Sequence, residues 1–105
     1  MISHSQSLKN FIISLNESRF YDAHEDIETL WFPRRFEDDD EVKLLKGFIN
    51  AAVSFELLKK GRVESSKKVW NNYLKYLPLL KTLNSKYTTE YKKIALHVEL
   101  IQNKF

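Results

Sequence analysis

The sequence predicts an all-α fold: one compact domain over residues 1–105, built from about five helices, mostly antiparallel. Three observations predict it. Glycine and proline number only two each, too few turn formers for a chain of short strands. Apolar residues recur three and four positions apart through most of the chain, which is the spacing of one helix face. Hydrophobic residues make up 43% and charged residues 30% of 105 positions, a globular composition in a chain long enough for one core.

Each element follows from its own signals. A first helix fits residues 6–16, with Leu8, Phe11, Ile12 and Leu15 on one stripe. A second fits 19–32, carrying Phe20, Ala23, Ile27, Leu30 and Trp31, and Pro33 stops it before a loop over Pro33–Glu37. The third, near 39–60, opens on a box-like pair, Asp38 and Glu41, in an acidic first turn that suits the helix dipole. Its apolar residues nearly encircle it, so it is expected at the centre of the domain. Gly47, Ala51 and Ala52 thin one side for a close neighbour, and Gly61 is placed to end the helix in a left-handed conformation. A fourth helix fits 63–77, with Val63, Trp70, Tyr73, Leu74 and Leu77 on its stripe and Pro78 as its breaker. A turn around Leu79–Leu83 leads to a fifth over 88–103, opened by Thr88 or Thr89 and striped with Tyr91, Ile94, Ala95, Val98 and Ile101.

Composition excludes several functions. With no cysteine, the chain has no disulfide, thiolate zinc site or cysteine nucleophile, which fits a reducing cytoplasm. Met1–Asn10 is polar and the run Phe11-Ile12-Ile13 is too short for a signal-peptide core. No apolar run approaches the roughly 18 residues of a membrane span, so a cytoplasmic protein without a membrane partner is expected. The net charge of +3 is unevenly spread: residues 1–53 hold six Lys/Arg against ten Asp/Glu, and residues 54–105 hold eleven against four.

The second helix carries the distinctive chemistry. His24 and Glu28 are four apart and share a face, and Trp31 completes it. Glu25 points about 100° away from His24 by the helical period. The sequence lacks the HExxH zinc-protease pattern, because Glu28 stands where the second histidine would be. It also lacks the Glu-x-x-His order of di-iron bundles.

The run His24-x-x-x-Glu28-x-x-Trp31, the helix Leu45-Lys46-Gly47-Phe48-Ile49-Asn50-Ala51-Ala52 and the closing Lys60-Gly61 resemble the bacterial and archaeal family called domain of unknown function 309. The resemblance covers roughly Phe20 to Leu77. It implies a small helical bundle and a metal role for His24 and Glu28, with Trp31 as the motif's aromatic. Family members often carry histidine near the positions of Glu56 and Leu57, and asparagine where Arg62 follows the glycine; this sequence departs from them there.

Two readings of the face follow. An imidazole and a carboxylate at this spacing can chelate a divalent ion, with zinc, manganese and iron equally suited. A third ligand would come from the central helix: Glu56, which interrupts its apolar surface, or more weakly Asn50. Alternatively the residues are a structural network, His24 bonded to Glu28 or Glu56 under Trp31. Beyond these two, acid–base chemistry without metal is the least expected reading, because no nucleophile or phosphate-cradling loop accompanies the face.

The basic half offers two further partners. Lys59, Lys60, Arg62, Lys67, Lys68, Lys75 and Lys81 interleave with Trp70, Tyr73 and Tyr76, a pattern that can hold nucleic acid. With no recognised reader motif, nucleic acid is the lesser expectation. The aromatic content of 13% is high for five short helices, so leftover apolar surface on the fourth and fifth helices is expected to mark a partner or a homo-oligomer face, which would make the chain a non-enzymatic interaction module. His4 and His97 are expected at the surface.

Overall fold

A computed structural model describes residues 2–105 as five α-helices and two 3-10 turns, with no strand among them. Helix α1 spans His4–Asn16, α2 Phe20–Trp31, α3 Asp40–Lys59, α4 Val63–Tyr76 and α5 Thr88–Gln102. In space, α3 packs between α2 and α4, α1 lies on α2, and α5 returns to dock on α1. The radius of gyration is 12.7 Å, close to the about 13 Å expected for this length.

The expected central helix is central. Leu44, Leu45, Gly47, Phe48, Ala51, Ala52, Ser54 and Phe55 of α3 are all buried, and Phe48 touches rings from three other helices: Phe11, Tyr73 and Tyr91. The thinned side works as the sequence implied. A Cβ placed on Gly47 would lie 3.1 Å from the Tyr76 Cβ of α4. About two turns along the same contact, Ser66 Oγ donates to the Ser54 carbonyl at 2.8 Å. Small residues let the two backbones approach, and the hydroxyl satisfies itself on the facing helix.

Helix ends differ from expectation in instructive ways. Helix α1 starts at His4 because Ser3 caps it, its hydroxyl accepting from the Gln6 N–H. Asp39 rather than Asp38 caps α3, accepting from the Glu41 N–H at 2.8 Å, while Asp38 pairs with Lys43. The segment after Trp31 is not an open loop at first but a 3-10 turn, Phe32–Arg34, with Pro33 inside it where no N–H is needed. Gly61 has φ +77, and the bonds Gly61 N–H to Leu58 O and Arg62 N–H to Leu57 O complete a Schellman end for α3. Helix α1 ends the same way without a glycine: Ser18 takes φ 58, with Ser18 N–H on Leu15 O and Arg19 N–H on Ser14 O.

Two apolar expectations change. Val63 and Leu74, placed on the α4 stripe, are exposed, because α5 leaves α4 after the turn Leu77–Lys81 and covers α1 instead.

Candidate metal centre

Helix α2 presents its polar face because Phe20, Ala23 and Ile27 turn the opposite face into the core. His24 and Glu28 therefore stand at the core's edge, half-buried, with Glu25 exposed beside them. His24 Nε2 lies 2.7 Å from Glu28 Oε2, the one-turn pairing expected from their spacing. The Glu25 carboxylate bends back toward the pair. One ligand atom from each of His24, Glu25 and Glu28 lies within 4.8 Å of the others. The 100° step between positions 24 and 25 separates the Cα–Cβ bonds, but a glutamate has enough rotatable bonds to recover it.

The surrounding charge suits a cation. Residues Phe20–Trp31 hold Asp22, Glu25, Asp26 and Glu28 and neither Lys nor Arg, and of the four only Asp22 pairs with a flanking cation, Arg19, at 2.9 Å. Glu28 also lies in the last turn, where the helix dipole is negative and a cation is stabilising. The Glu25 charge, with its hydrogen bond, pushes the Tyr21 hydroxyl above its ordinary range. Tyr21 sets its ring edge-on to His24, with centroids 5.8 Å apart.

The other expected members sit elsewhere. Glu56 is half-buried on α3 and pairs with Lys60 at 3.3 Å, so Glu25 rather than Glu56 joins His24 and Glu28. Asn50 spends its amide on the Lys46 carbonyl of its own helix at 2.9 Å. Trp31 packs against the core, and Lys46 Nζ lies 4.3 Å from its ring centroid. The ring beside His24 is that of Tyr21.

A second polar cluster escaped sequence reading. Glu41, at the start of α3, accepts from Ser85 Oγ and Tyr91 Oη at 2.7 Å each and from Arg34 at 3.0 Å. Tyr91 Oη also lies 2.9 Å from His4 Nε2. Because the Tyr91 proton goes to Glu41, His4 must donate, which fixes its Nε2–H tautomer. The His4 ring stacks on Tyr87 at 3.8 Å. His4 is thus half-buried and bonded, not the surface residue expected; His97, half-exposed, lies 3.2 Å from the Asn16 amide. Burial pushes the Glu41 carboxyl up, but the three hydrogen bonds outweigh it and leave it below the ordinary value. Burial lowers His4. The cluster draws on positions 4, 34, 41, 85 and 91, and no local spacing connects them.

The family model described as Domain of unknown function (DUF309) matches residues 8–69, which include all of α2 and α3. No curated protein and no solved structure matches the chain.

Proposed function

The chain belongs to the family of domain of unknown function 309, the match over residues 8–69 covering more than half of it, and on that footing we propose that it binds a divalent metal at His24, Glu25 and Glu28. The observation that carries the reading is the convergence of three ligand atoms within 4.8 Å on one helix face. One imidazole and two carboxylates match a three-ligand set, which leaves coordination positions for water or a small ligand. Zinc, manganese and iron all accept such donors. The site opens to solvent, so exchangeable rather than buried structural metal is expected.

The ligands do not form the core, so metal loss should leave the fold intact. The test is metal content and calorimetric titration on untagged, chelator-free protein. About one equivalent of bound metal in the wild type, with affinity reduced at least about tenfold in His24→Ala, supports the reading. If deliberate loading leaves only trace metal, and His24→Ala lowers the melting temperature, the residues are a structural network instead.

The alternative reading is a non-enzymatic interaction module. The observation favouring it is the exposed apolar surface on α4 and α5, where Val63, Leu74, Leu96 and Leu100 are all exposed. Among the described residues no helix is long and apolar enough to cross a membrane.

A further inference from the structure

Helices α4 and α5 are consecutive but do not close on each other. The turn at Leu77–Lys81 sends α5 onto α1, where Tyr91, Ile94, Val98 and Ile101 are buried. Between α4 and α5 lies a groove of about 520 Å³, walled by Trp70, Tyr73, Leu74, Leu77, Ala95 and Leu96. Trp70 and Gln102 join it to a second hollow under Phe55, Val63 and Phe105, and Leu77 and Lys92 join it to a third beside Leu80. The apolar path therefore follows the length of α4, whose 14 residues measure about 21 Å. Its rim is exposed: Leu74 45%, Leu96 55%, Phe105 57%.

We propose that this groove receives an amphipathic, acidic helix of about four turns from another protein. The shape and lining suit a helix laid along its apolar face, read by anchors three and four residues apart. The charge selects the partner. Lys67, Lys81 and Lys92 line the three hollows, and Glu99 is the one acidic side chain among their lining residues; Lys67 already pairs with Glu64 at 3.6 Å, which leaves Lys81 and Lys92 to set the charge of the rim. A partner whose apolar stripe is flanked by Glu and Asp places opposite charge at Lys81 and Lys92 and is steered to the site. A second copy laid face to face would set lysine-rimmed groove against lysine-rimmed groove. Its acidic helix α2 cannot serve as the occupant, because the apolar stripe of α2 is already buried in the core. Nucleic acid would meet the lysines and could stack on Trp70, but it would leave Leu74, Leu77 and Leu96 uncovered. The groove takes no residue from α2, so its fate is independent of the metal site.

The test uses the full chain and fluorescein-labelled 15-residue peptides (about four turns) with leucines at helical spacing. One peptide carries glutamates on the flanks, a second carries lysines at the same positions, and a third scrambles the acidic composition. Fluorescence anisotropy should give at least about tenfold tighter binding of the acidic helix than of either control. Leu96→Glu, at an exposed position, should weaken that binding about tenfold while leaving the circular-dichroism melt unchanged. Lys92→Glu should weaken the acidic peptide and strengthen the basic one. Equal binding of acidic and basic peptides overturns the proposal, as does no binding at all. So does a dimer in sedimentation that Leu96→Glu dissociates, or a single-stranded oligonucleotide that binds with the same Leu96 and Lys92 dependence.

Discussion

Tyr91 donates a 2.7 Å hydrogen bond to Oε2 of Glu41, a residue 50 positions earlier in the chain. The bond ties the start of α5 to the start of α3, and three further partners converge on it: Ser85 and Arg34 on the carboxylate, His4 on the phenol. Removing one member strands the others in a partly buried place. Tyr91→Phe leaves the His4 N–H and a Glu41 lone pair without partners and should cost about 1–2 kcal/mol. Glu41→Gln also removes the charge facing Arg34 and should cost about 2–3 kcal/mol. Glu37→Gln, at the exposed arm of the same arginine, should change stability by less than about 0.5 kcal/mol. Urea denaturation of the three variants checks the order, and an effect of Glu37→Gln equal to that of Glu41→Gln would remove the cluster's special weight.

The same cluster should make the protein acid-sensitive in two stages. His4 is lowered from 6.5, mainly by burial, and Glu41 ends below 4.5 because its hydrogen bonds outweigh burial. Each folded value lies below the unfolded one, so the unfolded chain binds the proton more readily. The stability contributed by His4 is complete above pH 6.5 and is lost as pH falls from there through the lowered folded value; that of Glu41 is complete above 4.5 and is lost likewise. Asp26, raised by burial, works in the opposite sense and blunts the second stage. The urea midpoint followed from neutral to acid pH should step down twice, and His4→Gln should abolish the first step only.

Metal should stabilise the fold through His24. A ligand bound only by the folded state adds about 2.7 kcal/mol at a free concentration of 100 times its dissociation constant. Zinc or manganese should therefore raise the thermal midpoint of the wild type, and a chelator should reverse the rise. Neither should move the midpoint of His24→Ala or of Glu28→Gln by a comparable amount.

Two helix ends of the same geometry should respond with opposite sign. Gly61 holds φ +77 with nothing within 4 Å of a would-be Cβ, so Gly61→Ala is penalised by backbone conformation alone, about 1 kcal/mol. Ser18 holds φ 58 without being glycine, so Ser18→Gly should stabilise by up to about 1 kcal/mol. Thermal midpoints of the two single variants should therefore move in opposite directions.

The α3–α4 contact should tolerate no bulk at position 47. Gly47→Leu drives a side chain into Tyr76 and Tyr73 and should destabilise by about 3 kcal/mol or more. A neutral outcome in denaturant titration would mean that α4 can move away from α3.

The sequence by itself determined the helices and much of the core, because both are written at short range. The three-and-four spacing of Phe20, Ala23 and Ile27 or of Tyr91, Ile94 and Val98 places a buried stripe wherever the helix docks. The left-handed end at Gly61 follows from its missing Cβ, and the His24–Glu28 pair from a spacing of one turn. Side-chain freedom limited the rest of the site: Glu25 joined the pair by bending across the helical step, while Glu56 pairs with Lys60 one turn along the chain. Tertiary structure alone decided two larger features. The cluster around Glu41 needs residues from five separate segments, whose convergence depends on how whole helices dock. The groove exists because α5 chose α1 over α4, leaving Leu74 and Leu96 uncovered, and a periodic stripe states which residues seek burial but not which neighbour will bury them.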